Sequence, residues 1–195
     1  MKIACIDNYD SFVFNLVRYL KTDPAQPEVR VFRNTQIDYD YLDSCDGILL
    51  SPGPGIPKEA GELMTVISNY HQTKSMLGVC LGHQALGEFF GANLEQCTAP
   101  VHGKADNMVI DKSAVLFQQL DPAQEIGRYH SWRIRLKNED VLRITGRSND
   151  QTIQAFQHQQ LPIYGVQFHP ESILTPNGKT MISNWIKSLK NEKNT

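Results

Sequence analysis

The sequence predicts an α/β protein: an open, mostly parallel sheet with helices on both faces, joined by a small antiparallel or mixed sheet. Three observations lead there. Up to Gly91, short apolar runs alternate with segments of helical period, the pattern of parallel strands joined by crossover helices. The runs Gly47–Leu50 and Ser75–Val79 are apolar almost throughout, as expected of strands buried on both faces. Beyond Gly91 the pattern changes to short, mostly alternating segments at 107–110, 125–130, 141–147 and 152–156, which read as strands joined by turns.

The elements follow in order. Residues 2–6 form an apolar run that ends at the turn and capping cluster Asp7-Asn8-Tyr9-Asp10-Ser11. A helix is expected next, with Phe12, Val13, Leu16, Val17 and Leu20 on one face, Asp10 or Ser11 as its cap, and Asp23-Pro24 as its end. Val29 and Val31 mark a second strand and Gly47–Leu50 a third. Ser51-Pro52-Gly53-Pro54-Gly55-Ile56-Pro57 follows that strand at its carboxyl end, where open α/β sheets place their ligands. A lone Pro-Gly pair reads as a surface turn; the density of both residues here suggests a stiff backbone held for contact. It is not a phosphate loop of the GxxxxGK[ST] kind, because Glu59 follows Lys58. Residues 61–70 read as a helix, and a last helix begins at Gly178 with Met181, Ile182, Trp185, Ile186 and Leu189 on its apolar face.

With 195 residues and 41% hydrophobic content, the chain suits one core, hence a single domain over 1–190, with a loose tail at 191–195 in a charged stretch that begins near Lys187. A formal charge of -2 offers no basic surface to nucleic acid. Neither a membrane-spanning run nor a signal-peptide layout is present. Cysteines 5, 45, 80 and 97 form no CxxC pair, so neither a disulfide framework nor a zinc site is expected, and a cytoplasmic location fits reduced thiols.

Chemistry concentrates in two stretches. Gly78-Val79-Cys80-Leu81-Gly82-His83-Gln84 joins a strand to a helical pattern in Leu81, Ala85, Leu86, Phe89 and Phe90. At such a turn the free N–H groups and the positive end of the helix dipole favour a thiolate. The two glycines permit the tight geometry of a nucleophile elbow. Taken alone, Cys80 fits a buried structural cysteine equally well. A zinc reading fails, since Cys80 and His83 supply two of the four ligands a structural site needs. The second stretch is Tyr164-Gly165-Val166-Gln167-Phe168-His169-Pro170-Glu171-Ser172. If the chain stays extended there, His169 and Glu171 share a face. That pair alone reads as a strand-end salt bridge; combined with Cys80 it reads as the base and orienting carboxylate of a triad.

These residues resemble a class I glutamine amidotransferase, and among those most closely the glutaminase subunits of anthranilate synthase and aminodeoxychorismate synthase. The resemblance runs the length of the chain. It rests on Asp7-Asn8-Tyr9-Asp10-Ser11-Phe12, the 51–57 loop, the 78–84 elbow, His102-Gly103-Lys104, Tyr129-His130-Ser131 and the 165–172 stretch. The opening motif points to the chorismate-using branch, since the related GMP synthase glutaminases usually open differently. The resemblance implies a flavodoxin-like fold, Cys80 as nucleophile, His169 as general base and Glu171 as its orienter. It implies backbone N–H groups of Gly55 and Leu81 as the oxyanion donors, and Gly53, Pro54, Gly55, Gln84, Ser131 and Trp132 as the residues that hold L-glutamine. It further implies no metal or cofactor in this chain, and a hetero-oligomeric partner, the synthase component I, that binds chorismate and magnesium. Two departures stand out: Trp132 replaces the family's usual leucine, and Val13-Phe14 replaces Thr-Tyr, with Val13 and Phe14 expected on the apolar helix face or its edge. Two competing readings are a free-standing GMP synthase glutaminase and a non-catalytic regulatory homologue.

Overall fold

The computed structural model describes residues 1–190 in full and the backbone through Glu192. In chain order the elements are β1 (Lys2–Asp7), α1 (Val13–Lys21), β2 (Glu28–Arg33), α2 (Tyr39–Ser44), β3 (Gly47–Leu50), α3 (Leu63–Tyr70), β4 (Ser75–Val79), α4 (Leu81–Phe89), β5 (Asn93–Ile110), β6 (Ala123–Arg135), β7 (Leu142–Ser148), β8 (Ile153–His158), β9 (Ile163–Val166) and α5 (Gly178–Glu192). Among the described residues the strands form one nine-stranded sheet in the order β2-β1-β3-β4-β9-β8-β7-β5-β6. The antiparallel strands are therefore a continuation of the parallel sheet rather than a second sheet beside it. The reason is β9: it runs parallel to β4, with Val79 beside Val166, and antiparallel to β8, with Ala155 beside Val166.

Period-two alternation builds the core on both faces. Ile3, Cys5, Leu49, Leu77 and Val79 face the apolar sides of α1 and α5, including Leu16, Leu20, Trp185 and Ile186. Ala4, Ile6, Ile48, Leu50 and Met76 face α2, α3 and α4, including Leu42, Val66, Ile67 and Leu86. None of the described helices is long and apolar enough to cross a membrane.

Several local expectations are corrected. Phe12 lies before α1 rather than on its buried face, because the Asp10 carboxylate accepts the Phe12 N–H at 2.7 Å in a turn that swings the ring outward. Neither Asp10 nor Ser11 caps the helix; Phe12 occupies the cap position without a side-chain bond. Val13 is buried and Phe14 exposed. α3 begins two residues after Gly61, whose φ of +54° belongs to a turn that brings the Glu62 N–H to the Asn34 carbonyl at 2.7 Å. The helix continues through the charged run after Lys187 because Leu189 is buried in the α1–α5 face; the tail expected at 191–195 lies outside the residues described in full.

Two glycines make the β4–α4 junction possible. A Cβ on Gly78 would lie 2.5 Å from the Gly82 carbonyl oxygen, and one on Gly82 would lie 2.3 Å from the Leu50 carbonyl oxygen. Both contacts are with backbone, which cannot rotate away. Gly82→Ala would gain about 1 kcal/mol of helix propensity and lose about 3 kcal/mol or more to overpacking. The clash wins, so urea unfolding is expected to show a net loss of about 2 kcal/mol.

Candidate active site

The elbow places Cys80 between β4 and α4 with φ 51° and ψ -98°, a strained backbone that persists only where surrounding structure holds it. Its N–H donates to the Val166 carbonyl at 2.8 Å, and its own carbonyl accepts the Gln84 N–H at 3.0 Å. The elbow is thus tied to β9, the strand that delivers the other half of the site.

Just beyond β9, the backbone of His169 is clamped from both sides. Its N–H donates to the Gly127 carbonyl at 3.0 Å, and its carbonyl accepts the Thr175 hydroxyl at 2.7 Å. His169 Nδ1 pairs with Glu171 Oε1 at 2.6 Å, both side chains buried. The expected pairing forms, but by a different local route. The chain turns after His169, the Ser172 N–H reaching back to the His169 carbonyl at 3.1 Å, so it is this turn and not an extended strand that brings the carboxylate to the ring. The edge of Tyr129 packs on the imidazole, ring centroids 5.0 Å apart.

With Nδ1 committed to Glu171, Nε2 is the ring atom left for Cys80. Burial alone would lower the His169 pKa, but the charge of Cys80 and the bonded Glu171 carboxylate together outweigh that and raise it well above the ordinary histidine value. Two other buried histidines behave oppositely: burial takes His83 down to about 3, and burial with the adjacent Arg128 charge takes His130 down to about 4.

A cavity of about 760 Å³ opens onto Cys80, His169 and Glu171 and is also lined by Gly53, Pro54 and Tyr129. The 51–57 loop is fixed from behind by Asn8, which donates from its backbone to Ser51 Oγ at 2.9 Å and from its side chain to the Ser51 carbonyl at 2.8 Å. A Cβ on Gly53 would lie 2.5 Å from the Asn8 carbonyl oxygen. That contact packs the loop directly against the opening motif. Gly55 has φ +75° and is exposed. Leu81 opens α4, so its N–H belongs to the first turn, which has no acceptor within the helix.

The other residues expected at the site sit apart from this cavity. Gln84 is buried, its amide nitrogen donating to the Trp132 carbonyl at 2.9 Å and to Gln167 Oε1 at 3.1 Å. Ser131 is exposed and Trp132 half-buried, on β6 opposite the bulge between Gln96 and Val101. Sequence reasoning assigned no role to Gln167, whose Nε2 donates to Cys80 Sγ at 3.6 Å, or to the clamp formed by Asn8.

The sequence matches the family model described as glutamine amidotransferase class-I over residues 4–189. It is 44% identical over 194 residues to anthranilate synthase component 2 of Mycobacterium tuberculosis (strain ATCC 25618 / H37Rv), covering 95% of this chain and 82% of that protein. It is 37% identical over 193 residues to aminodeoxychorismate/anthranilate synthase component 2 of Bacillus subtilis (strain 168), covering 97% and 98% respectively. The fold is similar to the crystal structure of a GMP synthase component from Thermoplasma acidophilum, with a TM-score of 0.88 and 26% identity over 100% of this chain and 96% of that one.

Titration of the histidine side chains by heteronuclear NMR tests the electrostatics. His169 is expected to keep its proton above the pH at which an ordinary histidine becomes neutral. His83 and His130 are expected to stay neutral down to about pH 5. A His169 titration at or below the ordinary range would break the assignment of Cys80 and Glu171 as its charge partners.

Proposed function

The chain belongs to the class I glutamine amidotransferases, and we propose that within them it is the glutaminase component of a chorismate-using synthase, hydrolysing L-glutamine through Cys80, His169 and Glu171 and passing the ammonia to its partner. The observation that carries this reading is the buried 2.6 Å His169–Glu171 pair beside a cysteine on a strained strand-to-helix elbow, all three opening onto one cavity. The relatives named above support the chorismate branch; the GMP synthase likeness, at lower identity, is one of fold.

In the reaction, the Cys80 sulfur attacks the side-chain amide carbon of glutamine and the carbonyl oxygen takes the negative charge. The N–H groups of Leu81 and Gly55 stabilise that oxyanion, each such donor being worth about a hundredfold to a thousandfold in rate. Protonated His169 gives its Nε2 proton to the amide nitrogen, the C–N bond breaks, and ammonia leaves. Water then attacks the thioester, His169 taking its proton; glutamate departs and the sulfur returns to its thiolate. Glu171 holds the ring oriented and stabilises its charged form throughout. Gly53 and Pro54 line the space that the glutamine occupies; Gln84, Ser131 and Trp132, which are not part of that lining, are assigned to the same substrate on the resemblance alone. No metal or cofactor is assigned to this chain; chorismate and magnesium belong to the partner.

Ammonia released into water is protonated and loses its nucleophilic lone pair, so the reaction is useful only when a partner covers the cavity. The mouth is suited to that. Tyr9, Phe12 and Ile173 line it and are exposed, Ile173 to 94%, with Phe14 exposed on the adjoining helix; exposed apolar side chains gathered this way mark an interaction surface.

The experiment combines this chain with glutamine, chorismate, magnesium and each candidate synthase partner. Anthranilate with one partner places it in that reaction, 4-amino-4-deoxychorismate with the other places it there, and both products mean a shared component. Cys80→Ser is expected to abolish product formation from glutamine while leaving synthesis from added ammonium salt intact. Loss of both activities in that variant would sink the division of labour, and failure with every chorismate partner alongside activation by an ATP-pyrophosphatase would favour the GMP synthase reading.

A further inference from the structure

A line of buried polar groups runs from the protein surface to the Cys80 sulfur, and its polarity is fixed link by link. Arg128, buried on β6, is held by Asp106 and by Asp150, the latter at 3.0 Å. A guanidinium can only donate. Its Nε points at His130 Nε2, 3.2 Å away, so Nε2 must accept and the proton of the neutral ring must sit on Nδ1. Nδ1 lies 3.0 Å from the Trp132 carbonyl, which can only accept. The same carbonyl takes Gln84 Nε2 at 2.9 Å, which orients the Gln84 amide with its nitrogen inward. That nitrogen also reaches Gln167 at 3.1 Å, so Gln167 must present its oxygen there. Its own amide nitrogen is left facing Cys80 Sγ at 3.6 Å. Arg128, His130, Gln84 and Gln167 are all buried, Gln167 completely, so water does not compete to reorient the amides.

We propose that Gln167 is a positioning residue of the glutaminase reaction: its Nε2–H, aimed by Gln84, Trp132, His130 and Arg128, donates to the Cys80 sulfur, holding it toward His169 and favouring its thiolate. A donor to an anion stabilises the charged form. Among the described residues it is the Gln167 amide that reaches the Cys80 sulfur with a hydrogen bond; the His169 ring, whose Nε2 makes none, acts on the sulfur as a charge, with Glu171 and Asp10 the carboxylates facing that ring. The Gln167 amide carries no proton that titrates in the working range, so it orients the sulfur without competing for His169's role. Gln84 acts here through its nitrogen, as the group that aims Gln167.

This inference rests on Cys80 being the nucleophile, and the test separates the two. The pH dependence of Cys80 alkylation by iodoacetamide is followed by mass spectrometry on the whole chain, in wild type and in Gln167→Met, which keeps the length of the side chain and removes the donor. Wild-type Cys80 that is no more reactive than Cys97 would overturn the nucleophile itself. Given a reactive wild type, Gln167→Met is expected to move the alkylation midpoint to higher pH and to lower kcat with glutamine by about three- to tenfold at nearly unchanged KM, the scale of one charge-assisted bond to a weak sulfur acceptor. Gln167→Glu, which turns an acceptor toward the sulfur, is expected to shift the midpoint further in the same direction. A wild-type midpoint and kcat in Gln167→Met would overturn the proposal. Should these variants fail to fold, the wild type decides through the side-chain amide resonances of Gln167: alkylation of Cys80 is expected to shift them, and unmoved resonances would overturn it equally.

Discussion

The site depends on one piece of backbone, the turn at Cys80, which is held in a conformation that an isolated L-residue avoids. Such a conformation costs about 1–3 kcal/mol, and it survives because its surroundings leave no alternative. Gly78 lets α4 approach β4, and Gly82 lets it approach Leu50 on β3, to distances that any Cβ would block. The Cys80 N–H is bonded to Val166 on β9, so relaxing the turn would break a strand contact as well. The same bond fixes the nucleophile relative to the base. With Val79 beside Val166, residues Gln167 and His169 emerge next to the elbow, although nearly half the chain separates them in sequence. Two neighbouring parallel strands with a fixed register therefore do the positioning, and their burial on both faces is what makes that register rigid.

What was legible in the sequence follows from how local its cause is. β1, β3 and β4 were readable because a strand buried on both faces must be apolar along its length. The elbow was readable because its glycines and cysteine are contiguous. The first half of β5 was not, since its side chains are largely exposed and leave no alternation to detect; its pairing with β6, including the bulges between Gln96 and Val101 and between His102 and Lys104, is a tertiary fact. α2 was missed because six residues, Tyr39–Ser44, are too few to establish a helical period, though Asp38 caps it by accepting the Tyr41 N–H. The outward turn of Phe12 was hidden because an apolar residue next to an apolar face reads as part of it. Gln167 was the least visible. A polar residue between Val166 and Phe168 has no meaning until topology brings Gln84, 83 positions away, against it.

The three buried histidines of this fold show what turns such a residue into a proton carrier. His83, His130 and His169 are all largely removed from water, and removal alone pushes each toward the neutral form. His83 packs its ring against Phe156, centroids 4.7 Å apart, and stays neutral. His130 meets the Arg128 guanidinium, a like charge if it were protonated, and stays neutral for that added reason. At His169 negative charge prevails, with Glu171 bonded at Nδ1 and the charge of Cys80 acting on the ring, and of the three its pKa alone rises. Burial is common to all three, so the charges facing the ring decide the outcome. The neutrality of His130 is useful in its own right. A protonated ring would oppose Arg128 and could no longer accept its N–H, and the hydrogen-bond order that runs from Arg128 to Gln167 would lose its second link. The fold thus needs one histidine charged and another uncharged within the same polar layer. It achieves this by placing an arginine beside one and a carboxylate beside the other.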